Sequence, residues 1–106
     1  MAGQYDSEAR TMAMVIWELR HARPGRSFIQ ERAILDLLAR CEPPLRIGTQ
    51  PLRSRLADFA NDNLITFDIE SGDTDTRWVV TEVLPAIRRL FDPDHGGWSD
   101  SRLPGT

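Results

Sequence analysis

The amino-acid sequence predicts one mainly α-helical domain with a small β-hairpin. Apolar residues recur at helical spacing in three segments before residue 62, alternate with polar residues between Ile65 and Ile69, and return to helical spacing after Thr81. A period near 3.6 indicates a helix packed on a core, whereas a period of two indicates a half-buried strand. A chain of 106 residues has the size of a single domain.

The first helix is predicted over residues 7–22. Asp6 or Ser7 can cap it, because a short side-chain oxygen accepts hydrogen bonds from the free amides of the first turn. Pro24 follows the helix closely and prevents its continuation. We expect residues 1–6 to be a flexible N-terminus and residues 7–93 to form the folded domain.

Two further helices follow, and both begin at capping signals. Ser27 and Gln30 have the spacing of a capping box, which places the start of the second helix at Ser27 and its end before Pro43. The third helix is predicted from Thr49, as its cap, to Asn63. A short turn therefore joins two helices in succession.

The remainder of the domain is predicted as a hairpin and a closing helix. Strands are expected over residues 65–70 and 77–80, joined by a turn at residues 71–75. Thr81 would cap a last helix over residues 82–91. Residues 94–106 are rich in Gly, Ser, Asp and Pro, so we expect a flexible tail there.

Helix, helix, helix, hairpin and helix is the layout of a winged helix-turn-helix. Residues 27–31 would open the positioning helix, residues 52–60 form the middle of the recognition helix, and Asn63-Leu64-Ile65 matches a common exit into the wing. On these segments the chain resembles small regulators of the MarR and ArsR type, and in length and spacing it is most similar to short winged-helix proteins of Mu-like phages. A plain helical bundle with a hairpin is the alternative architecture.

The resemblance implies a transcriptional regulator that inserts its third helix in the major groove of double-stranded DNA. Arg can pair with guanine or phosphate, Gln with adenine, and Ser or Thr with phosphate. Polar residues around the start of the third helix and one in the hairpin are therefore the candidate DNA-binding residues. They are Arg46, Thr49, Gln50, Arg53, Ser54, Arg55 and Arg77. The same residue types also occur on any solvated helix face.

The charge balance argues for a second kind of partner. The net charge is −3, all 13 basic residues are arginine, and Glu70, Asp73 and Asp75 would make the hairpin acidic where it should approach phosphates. An all-arginine set also fits a GC-rich genome. The alternative function is a protein-interaction module that uses this hairpin and the apolar first helix. Met14, Val15 and Trp17 are surplus apolar residues on that helix, and we expect them at an interface, most simply that of a homodimer. Peripheral core is the alternative place for Trp17.

The sequence contains no pattern typical of an enzyme, a metal site or a cofactor site. His21 and His95 lie far apart, and Cys41 is expected to be a small buried residue. The metal-sensing ArsR proteins carry a paired-cysteine motif that this chain lacks, so metal sensing is not implied. No apolar run could span a membrane, and a cytoplasmic location is expected. Trp98, in the predicted tail, fits either a docking anchor or an exposed side chain.

Overall fold

The structure is a computed structural model, which describes residues 5–22, 28–72, 74–95, 97–99 and 101–104. Helices and a small antiparallel sheet enclose one hydrophobic core in a mixed α/β arrangement. The elements in chain order are α1 (Ser7–Ala22), β1 (Ile29–Gln30), α2 (Glu31–Arg40), α3 (Thr49–Asn61), β2 (Ile65–Ser71), β3 (Thr76–Val83) and two short 3-10 helices (Pro85–Leu90 and Pro93–His95).

The first helix has the predicted bounds. Asp6 is its N-cap, because the carboxylate oxygen Oδ1 accepts a hydrogen bond from the backbone N–H of Ala9 at 2.8 Å. Met12 and Ile16 on its inner face are fully buried. The predicted flexibility of residues 1–6 does not hold for Tyr5 and Asp6, which both contact the folded chain.

The second helix begins at Glu31, four residues later than predicted. Ile29 and Gln30 form a short strand that pairs with Val80 and Val79 of β3. Gln30 is the N-cap of α2 and makes no side-chain capping hydrogen bond, while Ser27 lies outside the described residues. The start of this segment is therefore extended, because its backbone groups pair with a distant strand.

The hairpin is confirmed and belongs to a three-stranded sheet with the order β1-β3-β2. Its strands pair from Ile65 opposite Val83 to Ser71 opposite Thr76, with an irregularity between Thr66 and Phe67. The predicted last helix over residues 82–91 is wrong, since β3 continues to Val83. Pro85 favours extended backbone at the preceding residue, so the helical turn that follows starts only at Pro85 and is a 3-10 helix.

The third helix begins at Thr49 as predicted, but its N-cap is Gly48 rather than Thr49. It ends at Asn61 in a Schellman motif: the N–H of Asn63 donates to Ala60 and the N–H of Leu64 donates to Phe59, at 3.1 and 2.9 Å. Asn63 has a φ of 60°, which asparagine tolerates better than most residues. This motif turns the chain from α3 into β2.

The described residues of the predicted tail pack against the domain instead of remaining loose. The hydroxyls of Ser99 and Thr11 are hydrogen bonded at 2.7 Å, and the backbones of Arg102 and Glu42 exchange two hydrogen bonds of 2.9 Å. Ser101 is buried. These contacts tie the C-terminal segment to α1 and to the turn after α2.

Candidate nucleic-acid interface

The third helix divides cleanly into a buried and an open face. Leu52, Leu56 and Phe59 are fully buried and fix the rotation of the helix on the core. The residues on the other side, near the N-terminal end of the helix, are polar and exposed, and the preceding loop adds an exposed arginine. They are Arg46, Thr49, Gln50 and Ser54.

Arg53 was predicted to contact DNA, but its guanidinium is engaged within the protein. Its Nε and Nη2 donate to the two carboxylate oxygens of Glu31 at 2.9 and 2.8 Å. Nη2 also donates to the backbone oxygen of Thr76 at 2.7 Å, and the guanidinium lies 5.6 Å from the centre of the Trp78 ring. Arg53 therefore joins α3, the start of α2 and the hairpin, and is not an open side chain of the interface.

The contact with Arg53 lowers the pKa of Glu31. The hydrogen bond from Arg53 holds the pKa of the Glu31 carboxyl below its ordinary value, against the opposing effect of burial. The carboxylate is mostly buried beside its partner. This ion pair fixes the orientation of α3 relative to α2.

Arg55 is also paired with a residue distant in sequence. Its Nη2 lies 2.6 Å from the carboxylate of Asp6, the N-cap of α1. Next to it, Tyr5 donates a hydrogen bond to Asp62 and its ring meets that of Phe59 edge-on. Burial and the neighbouring Asp62 raise the pKa of the Tyr5 hydroxyl. Tyr5 and Asp6 thus pack on the C-terminal half of α3.

The hairpin carries one open cation near its tip. The side chain of Arg77 is 61% exposed and only loosely paired with Asp75, at 3.9 Å. Asp68 and Glu70 on the neighbouring strand are exposed, while Asp73 lies outside the described residues. The acidic character predicted for the hairpin is therefore present beside Arg77.

Sequence reasoning missed Arg32, which lies close to this part of the hairpin. A cleft of about 280 Å³ between the start of α2 and the hairpin is lined by Arg32 and Arg77, together with Glu31, Asp75 and Trp78. Arg32 is exposed at the second residue of α2. The signal in the sequence was weak, because only the sheet brings this residue next to the hairpin.

The residues predicted for a dimer interface are used largely inside the domain. Val15 is fully buried, so its assignment to an interface is wrong. Trp17 stacks on His21 with ring centres 3.9 Å apart and lies near Phe91. Met14 is half-buried and packs against the core. The surplus apolar surface of α1 is thus covered mainly by residues of the same chain, because the closing segment returns to this helix.

The described part of the chain contains no group of three or more His, Cys, Asp or Glu residues that could hold a metal ion. Burial raises the pKa of the Cys41 thiol, which disfavours the nucleophilic thiolate. No helix in the described ranges is long and apolar enough to cross a membrane.

Comparisons of this chain with models of known protein families, with curated proteins and with solved structures found no match. We therefore assign the chain to no family.

Proposed function

We propose that this protein is a winged helix-turn-helix regulator that binds double-stranded DNA by inserting α3 into the major groove. The order of the helices, with a hairpin after α3, is compatible with that architecture, although the connection between α2 and α3 spans residues 41–48 and is longer than the usual helix-turn-helix turn. The observation that carries the proposal is the open polar face at the N-terminal end of α3. Thr49, Gln50 and Ser54 are exposed there, and Arg46 precedes them.

These side chains have the chemistry that duplex recognition requires. Gln50 can form two hydrogen bonds with the edge of adenine, while Thr49 and Ser54 can donate to phosphate oxygens. The N-cap residue Gly48 has no capping side chain, so the backbone N–H groups of Thr49 and Gln50 can donate to an anion, which the helix dipole favours. Pro51, the next residue, has no N–H. Arg46 adds a positive charge beside this end of the helix.

The ion pairs of Arg53 and Arg55 limit the strength of such binding. Their guanidinium groups are committed to Glu31 and Asp6. Among the residues that the structure describes, Arg46, Arg77 and Arg32 are the exposed arginines near the proposed interface. We therefore expect moderate affinity with a modest dependence on salt, and a larger contribution from Gln50 and the helix N-terminus than in a strongly basic domain.

Fluorescence anisotropy of labelled random-sequence duplexes at low and at physiological salt tests this proposal. We expect the parent protein to bind at low salt, and Arg46→Gln and Gln50→Ala to weaken binding severalfold. Arg89→Gln is the matched control, because Arg89 is an exposed arginine on the first 3-10 helix, which packs against α1. No binding by the parent at low salt, or equal binding by Arg46→Gln and the parent, would rule out this interface.

A specific feature of the hairpin supports a second candidate function, binding of a protein. Ile69 is 55% exposed on the outer strand of the sheet, and the exposed residues Asp68 and Glu70 precede and follow it in sequence. Because successive side chains of a strand alternate between its faces, this strand presents an apolar side chain on one face and acidic ones on the other. Such a strand suits a partner segment that carries both basic and apolar residues. In this case Ile69→Ser would abolish capture of a partner from the native cell, whereas Arg46→Gln would leave capture unchanged.

A further inference from the structure

A separate cavity lies where the C-terminal segment packs against α1, and it includes no residue of α3. Its volume is about 470 Å³, within the range of about 300–1,000 Å³ that small-molecule sites occupy. The described residues that line it are mainly apolar, with two serines and one arginine. The lining residues are Met14, Phe91, Pro93, Trp98, Ser99, Ser101, Arg102 and Leu103.

Trp98 is held at this cavity with more than half of its surface uncovered. It is 56% exposed, although the residues on both sides of it are fixed. The N–H of Gly97 donates to the backbone oxygen of Asp92 at 3.2 Å, and the hydroxyl of Ser99 is bonded to Thr11. A large aromatic ring on an anchored backbone leaves a surface against which a flat apolar group can stack.

Arg102 is the one charged residue among the described residues that line the cavity. Two backbone hydrogen bonds with Glu42, both 2.9 Å, fix its position, while its side chain is exposed and makes no ion pair with any residue that the structure describes. The hydroxyls of Ser99 and Ser101 already bond to Thr11 and to the backbone oxygen of Pro43. The guanidinium is therefore the main donor available to a ligand.

We propose that this cavity binds a small aromatic carboxylate. Its ring would lie against Trp98, Phe91 and Met14, and its carboxylate would accept two hydrogen bonds from the planar guanidinium of Arg102. A single negative charge on an apolar body suits these walls, because a doubly charged phosphate would lose more hydration on entry.

Titration of the ¹⁵N-labelled full chain with 2-naphthoate tests the proposal by NMR. The chain has three tryptophans, and a Trp98→Phe variant identifies the indole N–H signal of Trp98. We expect that signal to shift on titration while the signal of Trp78, in the sheet, stays in place. The affinity should fall about tenfold in Arg102→Gln, which removes a charge-assisted hydrogen-bonded pair. Arg89→Gln, the matched control, should bind like the parent.

The uncharged 2-naphthamide separates stacking from recognition of the charge. It should bind more weakly than 2-naphthoate and with equal affinity to the parent and to Arg102→Gln. Arg102→Lys keeps the positive charge but lacks the planar guanidinium. Its affinity for 2-naphthoate should lie between those of the parent and of Arg102→Gln. The proposal is overturned if the Trp98 signal does not move, or if naphthoate and naphthamide bind the parent with equal affinity. It is also overturned if Arg102→Gln binds naphthoate as tightly as Arg89→Gln does, or if phenyl phosphate binds the parent more tightly than naphthoate.

Discussion

The salt dependence of DNA binding can be worked out from the charges that the fold leaves open. Arg32, Arg46 and Arg77 are exposed near the proposed interface, whereas Arg53 and Arg55 are held in close ion pairs. With about three phosphate contacts for each protomer, the slope of log K against log salt should be about −2.7. Affinity would then fall about 40-fold between 50 and 200 mM salt. For Arg46→Gln, with about two contacts, the slope should be about −1.8 and the fall about 12-fold.

Anisotropy titrations at four salt concentrations measure these slopes. The proteins compared are the parent, Arg46→Gln, Arg53→Gln and Arg89→Gln. Arg89→Gln should reproduce the slope of the parent, and so should Arg53→Gln if it remains folded by circular dichroism. A slope near zero for the parent would refute phosphate contact. A folded Arg53→Gln variant whose slope fell as much as that of Arg46→Gln would refute the division between open and internally paired arginines.

Three further predictions concern the contacts that build the domain. Because the folded state lowers the pKa of Glu31, the unfolded chain takes up this proton first, so the parent should lose stability as the pH falls below about 4. Urea unfolding at pH 7 and pH 3.5 should show a smaller loss for Glu31→Gln, and an equal loss would contradict the role of the Arg53 pair. Asn63→Gly should be more stable than Asn63→Ala by about 1 kcal/mol, because Asn63 has a positive φ; equal urea midpoints would argue against this cap. Gly97→Ala should destabilise the domain by about 1–3 kcal/mol, because the added methyl group would overlap the backbone oxygen of Arg89 and lie 2.7 Å from the carbonyl carbon of Leu90. An unchanged melting temperature would show that this segment does not pack as described.

The parts of the fold that were predicted correctly depend on local signals. The apolar period and the capping carboxylate of Asp6 determine the bounds of α1, and the alternation after Leu64 determines β2. The exit from α3 follows from the backbone tolerance of Asn63. Each of these features is decided within a few residues of the chain.

The errors come from partners that are distant in sequence. The two-residue strand β1 forms because its backbone pairs with Val79 and Val80 of the central strand β3. The predicted closing helix starts too early, because β3 continues to Val83. A proline disfavours helical backbone at the residue before it, so Pro85 was a local signal for this later start. The C-terminal segment was predicted from its composition, which does not show that Ser99 would bond to Thr11, 88 residues away.

At the candidate site, too, the features set by local sequence were predicted and those set by partners distant in sequence were not. The sequence identified the exposed residues at the start of α3, because the helical spacing of the buried residues Leu52, Leu56 and Phe59 leaves the opposite face to solvent. It could not show that Arg53 would pair with Glu31, 22 residues away, or Arg55 with Asp6, 49 residues away. Arg32 was missed because the sheet, and not the sequence order, brings it to the hairpin.

The most direct test of the central claim is an NMR titration of the assigned, ¹⁵N-labelled protein with a short DNA duplex at low salt. The proposal predicts shifts concentrated at the backbone amides of Thr49 and Gln50 and at neighbouring residues of the α3 start, with Arg102 and the C-terminal segment unchanged. Shifts confined to the hairpin around Ile69, or no shifts at all, would contradict insertion of α3 into the major groove.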